Sequence, residues 1–494
     1  MNLQCKCVFR NVRSLMLSMV VISCCVYPIL SEMEPTCSME GEDWPTDPSL
    51  HEMRFDMGYG EEVFNAYLQP DISSFSQGKY ENVKTPDHSG WAVKFLNLSP
   101  APVDYYWVEG ARKIFMGQLS PFNAKGTASF PNHNFIFTRE GDEHDILASF
   151  KMTPGESLYF YDPIEGKEEN LAKLTNDEWQ RYEKQKRSQA FAKTYKEFTG
   201  RNYLSLYPRP PPSHKLWMAD HFGQTHWVTS KETHFTRHPP QDELKRVTRR
   251  KLQDDEPRLL SEYRSGEQII NMTLEVISCA PRVLETQNFL SDVEVDHIIA
   301  IAGAKNLHDS TTAGGSGRSS DTKTRTSRNT WVKRNHDPII DSIYRRAADL
   351  LRIDEALLRD RDQNEFPHLE SKFGQAEQLQ LVHYNVGEQY TAHHDFGYPD
   401  VSNKNQPARF ATLLLYLNED LEGGHTEFPR WANGETSKGL FAKPARGKAV
   451  LFYSQLPDGN MDDLSHHAAL PVKEGEKWLI NLWVWDPVYE VRSL

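Results

Sequence analysis

The sequence predicts an α+β fold preceded by a small all-β unit, and three observations predict it. Between Trp91 and Pro163, short runs rich in aromatic and β-branched residues alternate with turn residues ("WAVKFLNLS", "VDYYWVEG", "NFIFTRE", "SLYFYDP"), the pattern of a small antiparallel β domain. From Leu274 onward two helical patterns come first. After Gln378 the pattern turns to strands: "LQLVHY", "RFATLLLYLN", "GKAVLFYS" and "KWLINLWVWD". Helices followed by many strands indicate a layered domain whose strands form a sandwich or barrel.

In chain order, Lys6, Arg10 and Arg13 precede the apolar run 15–30, and the chain then turns polar. Residues 1–31 therefore read as a secretory signal peptide, with cleavage near Ser31. The apolar run is shorter than the roughly 20 residues of a membrane span. An uncleaved signal anchor is the alternative, and only then is a membrane a partner. Residues 32–90 are loop-rich. Residues 91–165 form the β sandwich. Residues 166–273 read as a helical and charged linker region, helical in composition over 170–200 and broken by "LYPRPPP" at 206–212. Its Pro- and charge-rich stretch 238–268, including the basic "LKRVTRRK", is expected as an exposed linker. In 274–490, Ser291 followed by Glu294 makes a capping box. Asp337 and Pro338 open a second helix as N-cap and N1, and Ile339, Ile343, Ala347 and Leu350 recur at helical spacing.

A chain of 494 residues can bury two or three cores. The net charge of −13, with no long basic tract, argues against nucleic acid as a main partner. Four cysteines, Cys5, Cys7, Cys24 and Cys25, lie in or before the leader. Cys37 and Cys279 alone make neither a disulfide framework nor a thiolate metal site. Two sequons, Asn97-Leu-Ser99 and Asn271-Met-Thr273, fit a glycoprotein of the secretory pathway. The endoplasmic reticulum, lumen or membrane, is the expected location, with secretion as the alternative.

The chemistry lies in two histidine pairs, His393-His394 in "YTAHHDFGYPD" and His466-His467 in "LSHHAALPV". Residues two apart on a strand share a face. If the segment is extended, His393 and Asp395 point at one ion and His394 points away. One further histidine from a distant strand would complete two His and one carboxylate. That facial set leaves open positions for a bidentate oxo-acid and O2, as in non-haem Fe(II) oxygenases.

Residues 274–487 resemble the catalytic domain of prolyl 4-hydroxylases, members of the Fe(II)/2-oxoglutarate dioxygenase superfamily. The resemblance rests on ordered blocks: "FLSDVEVDHIIAIA", "TRTSRNTWV", "LQLVHYNVGEQYTAHHD", "RFATLLLYLNEDLEGGHTEFP", "KPARGKAVLFY" and "HAALPVKEGEKWLINLWV". Tyr384, Gly387, Tyr390, His393 and Asp395 occupy the family's Tyr-x-x-Gly-x-x-Tyr-x-x-His-x-Asp. The resemblance implies a double-stranded β-helix (jelly roll) with flanking helices. It makes His467, directly before Ala-Ala, the third iron ligand, and leaves His394 and His466 as supporting or surface residues. Lys477 falls on the position that grips the distal carboxylate of 2-oxoglutarate, where a cation supplies a charge-assisted hydrogen bond. Tyr384 and Thr412 are expected to donate hydroxyls to the same co-substrate. Trp478 and Trp483 are expected to build pocket wall and core, and Arg409 to serve either substrate or pocket.

The activity implied is an oxidoreductase, a dioxygenase using Fe(II), 2-oxoglutarate, O2 and ascorbate to 4-hydroxylate peptidyl proline. The alternatives are another substrate (peptidyl lysine, a free amino acid or a small molecule) and a non-catalytic peptide-binding protein. The Gly/Ser-rich stretch 311–327 takes the place of the family's substrate loop, with Arg325 and Ser327 in the strand that follows. "VKFLNLSPAPVDYYWVEG" (93–110) followed by "GTASFPNHNFIFT" (126–138) also resembles the β domain of the von Hippel–Lindau protein, which recognises hydroxyproline in peptides. By position Trp107, Ser129 and His133 fall on that pocket, while Phe135 stands where the family has Trp.

Overall fold

The computed structural model describes residues 90–205, 209, 211–249, 260–305, 307–310, 325–360, 374–396, 408–431 and 439–486. The leader, the loop-rich segment with Cys37, and the 311–324 part of the expected substrate loop lie outside the described residues. Among the described residues no helix is long and apolar enough to cross a membrane.

Seven strands come first: β1 (Trp91–Asn97), β2 (Val103–Glu109), β3 (Arg112–Leu119), β4 (Ala124–Ser129), β5 (Asn134–Arg139), β6 (Asp142–Lys151) and β7 (Leu158–Tyr161). They form a three-stranded sheet, β4-β1-β7, and a four-stranded one, β3-β2-β5-β6. Phe95 from the first sheet meets Phe135, Phe137 and Tyr105 from the second in one apolar core. Alternation along β2 and β5 supplies these inward rings. Helices α1 (Glu168–Leu171) and α2 (Asn176–Thr199) follow. Helix α2 opens on a Thr175/Glu178 capping box and closes on Gly200 in the left-handed conformation.

The next elements are β8 (Thr225–Ser230), α3 (Gln241–Arg249), β9 (Ile270–Ser278), β10 (Val283–Thr286), α4 (Asp292–Ala304), β11 (His308–Asp309), β12 (Arg328–Val332) and α5 (Pro338–Leu351). Ser291 and Glu294 form the capping box of α4. Asp337 caps α5 by accepting from the Ile339 and Ile340 N–H groups. Buried Glu294 also pairs with buried Arg346, cross-linking the two helices. The linker reading of 166–273 is corrected here. Strand β8 pairs with β9 at the edge of the main sheet, and β9 runs across the expected boundary at Leu274. The 238–268 stretch contains α3, whose Leu244 and Val247 are buried. Charge density hid an amphipathic helix, because its charged face is simply the solvated one.

The remaining strands are β13 (Leu379–Tyr384), β14 (Tyr390–His393), β15 (Ala408–Tyr416), β16 (Leu421–Gly423), β17 (Thr426–Glu427), β18 (Phe441–Ala442), β19 (Ala449–Tyr453), β20 (His467–Ala469), β21 (Val472–Gly475) and β22 (Lys477–Asp486). A nine-stranded sheet runs β11-β12-β13-β22-β15-β19-β10-β9-β8, and a four-stranded sheet runs β14-β20-β17-β18. Strands β13 and β19 are buried along their whole length, because the large sheet is covered on both faces. Leu381, Leu413, Leu451 and Ile480 pack against α4 and α5. Val382, Leu414, Phe452 and Leu479 pack on the other side against Phe428 and Ala442 of the small-sheet region. Two covered faces explain why these strands read as near-continuous apolar runs rather than as alternation.

Candidate metal centre

His393 ends β14 and His467 begins β20, and the two residues are direct partners in the antiparallel register. Such partners have Cβ atoms about 5 Å apart, and the two ring centroids lie 4.5 Å apart. Asp395 comes two residues after His393. One ligand atom from each of His393, Asp395 and His467 lies within 4.8 Å of the others. His393 Nε2 is 3.6 Å from Asp395 Oδ1 and His467 Nε2 is 3.5 Å from Asp395 Oδ2.

Both rings are oriented from behind. His393 Nδ1 donates to the Thr391 carbonyl at 2.9 Å, and His467 Nδ1 donates to the Ser465 carbonyl at 2.9 Å. Each bond places the proton on Nδ1 and leaves the Nε2 lone pair facing the carboxylate. Burial, then the neighbouring His467 ring, push the His393 imidazole down to about 3, which keeps it neutral at ordinary pH. Tyr390 stacks on His393 with centroids 3.6 Å apart, while Phe452 and Phe428 flank His467.

Asp395 is buried, and burial acts to raise its pKa. The two imidazoles, Arg409 and the Trp483 indole outweigh burial and hold the carboxyl below the usual range. Thr412 Oγ1 donates to Asp395 Oδ2 at 2.7 Å and Trp483 Nε1 donates to the same oxygen at 3.0 Å. Thr412 lies opposite Trp483 in the β15–β22 register, and its hydroxyl, expected at the co-substrate, donates here to the Asp395 carboxylate. Trp483 is more than wall and core, since its N–H fixes a candidate ligand. Its aromatic character gave no sign of this; only the register does. Arg409 lies 3.8 Å over the Trp483 ring and is held by Glu377 at 2.7 and 3.2 Å, so it braces the pocket wall.

Lys477 begins β22 opposite Tyr384. It is fully buried, and Nζ has no hydrogen-bond partner among the described residues. The faces of Tyr384 and Tyr416 lie 5.3 and 5.7 Å from it. Burial alone pushes the ammonium down to about 7. Gly424 leaves room for the lysine stem, because a Cβ there would meet Lys477 Cδ at 3.2 Å. Burial pushes the Tyr384 hydroxyl up to about 12, so it stays protonated. A buried, unpaired cation inside the same two-sheet unit as a His/Asp/His cluster fits an anionic co-substrate beside a metal ion.

The other predicted residues are also placed. Arg325 is buried, lies 4.7 Å over the Tyr390 ring and contacts Ser327 Oγ at 3.3 Å. His394 points away from the cluster, with Nε2 3.1 Å from Asp463 Oδ1. His466 is buried and its ring lies 4.6 Å from that of His394. In the first β unit, Ser129 Oγ is 3.2 Å from His133 Nδ1, and the Trp107 ring is 5.3 Å from the His133 ring. Phe135 belongs to the core, 4.8 Å from Phe95.

Residues 379–485 match the family described as the 2OG-Fe(II) oxygenase superfamily. The chain is similar to "Probable prolyl 4-hydroxylase 3" of Arabidopsis thaliana, 33% identical over 229 residues that cover 44% of this chain and 74% of the relative. It is also similar to "Prolyl 4-hydroxylase 5" of the same plant, 33% identical over 238 residues that cover 45% and 75%. Among solved structures, it is similar to the viral collagen prolyl hydroxylase of Paramecium Bursaria Chlorella virus-1, with 27% identity, a TM-score of 0.31, and coverage of 41% of this chain and 95% of that one.

Proposed function

Because the chain belongs to the prolyl 4-hydroxylase family of 2OG-Fe(II) oxygenases, we propose that it 4-hydroxylates proline in peptides or proteins, coupled to conversion of 2-oxoglutarate to succinate and CO2. The observation that carries the reading is the convergence of His393, Asp395 and His467 in the same two-sheet unit that buries an unpaired Lys477 ammonium. Fe(II) bound with 2-oxoglutarate and O2 supplies the oxidising chemistry. His393 Nε2, His467 Nε2 and the Asp395 carboxylate would hold the ion, and Lys477 would hold the distal carboxylate of 2-oxoglutarate. Thr412 and Trp483 occupy Asp395 Oδ2 and so leave Oδ1 to the ion. The fold implied is the double-stranded β-helix, with the nine- and four-stranded sheets as its two walls. Ascorbate is the proposed reductant for iron oxidised in unproductive turnovers.

The substrate side of the proposal uses Arg325 and Ser327. Arg325 stacks on Tyr390, which stacks on His393, a line leading from a buried cation to a candidate ligand. The full chain with Fe(II), 2-oxoglutarate and ascorbate is expected to release succinate when given Pro-rich peptides and to add one oxygen to proline. Succinate release that no Pro-rich peptide stimulates would keep the oxygenase and remove proline as its substrate. The Ser129, His133 and Trp107 cluster supports a second proposal, that the 91–165 unit binds hydroxyproline-bearing peptide, the product of the same chain at raised local concentration.

The secretory location is likewise proposed, and the two sequons give it a test. Asn97 is buried, and its amide donates to the carbonyls of Ala101, Leu119 and Ser120. A glycan there is incompatible with the fold. Asn271 is exposed on β9. Trp227, 71% exposed, lies on the same outer face, opposite Thr273. Expressed in a secretory host, the chain is expected to lose a single glycan-sized mass on peptide-N-glycosidase treatment, and the loss to vanish in Asn271→Gln.

A further inference from the structure

The turn that delivers His467 is held from outside the two-sheet unit. Asp463 opens the short turn Asp463–Ser465, four residues before His467. Its Oδ1 accepts the Ala92 amide N–H of β1 at 3.0 Å, lies 3.1 Å from His394 Nε2 and pairs with Arg430 Nη1. His394 Nε2 also lies 3.2 Å from the Asp463 carbonyl. Packing repeats the same connection. Ala92, Leu204, Phe396, Ala408 and Met461 form one buried cluster, drawn from β1, the segment after α2, the residue after Asp395, the start of β15 and the loop before Asp463. Farther back on that loop, Tyr195 of α2 donates to Asp458 Oδ2 at 2.7 Å, and the Leu204 N–H donates to Asn460 Oδ1 at 2.8 Å.

His394 follows the last residue of β14, and its ring turns to Asp463, away from the His393 and Asp395 ligand atoms. Fixing its ring therefore fixes the backbone between those two ligands, and with it the direction of both neighbours. The same carboxylate anchors the turn into His467. We propose that Asp463 is a positioning residue for the metal centre, the point through which β1 holds both histidine-bearing segments in place. This rests on the iron site proposed above. Ligand segments that end a strand need such bracing, because a shift of about 0.5 Å already spoils a metal geometry.

Co(II) titration of the full-length chain, followed by visible absorption, tests the inference without turnover. Asp463→Ala is expected to raise the Co(II) dissociation constant about 10- to 100-fold, as loss of an outer hydrogen-bond partner does, and to change the Co(II) spectrum. Asp463→Asn keeps an oxygen that accepts from Ala92 and Arg430, and is expected to restore most of the affinity. His394→Phe keeps the stacking but loses the Asp463 contact, and is expected to resemble Asp463→Ala. Ile343→Val, which trims the core at α5, is expected to leave affinity and spectrum unchanged. Wild-type affinity and spectrum in Asp463→Ala and His394→Phe would overturn the inference, as would an equal loss in Ile343→Val. If His467→Ala and the wild type titrate alike, the metal centre itself is refuted and the inference falls with it. Loss in His467→Ala with none in Asp463→Ala refutes the positioning role alone.

Discussion

Replacing His467 by alanine is expected to remove metal binding and 2-oxoglutarate turnover together, each by more than about a hundredfold. The benchmark is the roughly 10- to 100-fold lost when only an outer partner of a ligand is removed. His467 is the cross-strand partner of His393, so its loss takes one of the three donors and the only one from β20. Two donors, His393 and Asp395, remain, both from the end of β14 and the residues that follow it. Thr412→Val supplies the internal comparison. It keeps all three ligands and removes one of the two donors on Asp395 Oδ2, so its loss should stay within the outer-partner range. Parallel metal titration and succinate assays, with circular dichroism to establish folding, decide the matter. An alanine variant that folds, binds metal and turns over like the wild type would remove His467 from the ligand set.

Which parts of this site are legible in the sequence follows from what sets each contact. A two-residue spacing is local, so the sequence can pair His393 with Asp395 apart from His394, although β14 itself ends at His393. His466 against His467 is not local: it depends on the register between β14 and β20, which no spacing records, and family resemblance supplied it. The contacts of Thr412 and Trp483 with Asp395 are hidden for the same reason. Each looks like an ordinary core position on its own strand, and only their pairing across β15 and β22 puts two donors under Asp395. The helix starts at Ser291 and Asp337 are legible because caps are written within four residues. The outer strands β8 and β9 are not, because nothing in "THWVTS" announces a partner more than forty residues away. The Asp463 contact with Ala92 is the extreme case, since a separation of 371 residues leaves no trace in either motif.

Lys477→Met is expected to move two observables in opposite directions. Without 2-oxoglutarate the ammonium is buried without an acceptor among the described residues, so replacing it with an apolar side chain of similar length should stabilise the fold, by about 1–4 kcal/mol on the scale of buried-charge replacements. With 2-oxoglutarate the same change removes the counter-charge of a buried carboxylate. Truncating one member of such a pair costs about 2–5 kcal/mol, so KM for 2-oxoglutarate should rise by roughly 30-fold or more. A lysine that merely fills space would leave KM for 2-oxoglutarate unchanged. The pH dependence follows from the same burial. The folded, unliganded ammonium titrates near 7 against an ordinary value of 10.5, so between those values the unfolded chain holds a proton that the folded chain lacks. The destabilising contribution of Lys477 is therefore fully present below pH 7 and fades as pH rises toward 10.5. A bound dianion restores the charged form, so 2-oxoglutarate binding above pH 7 should draw one proton from the buffer. Calorimetry in two buffers of different ionisation enthalpy should find that uptake near pH 9, close to zero below pH 6, and absent at both in Lys477→Met. Proton uptake that persists in the variant would assign it to another group and remove Lys477 as the grip on the oxo-acid.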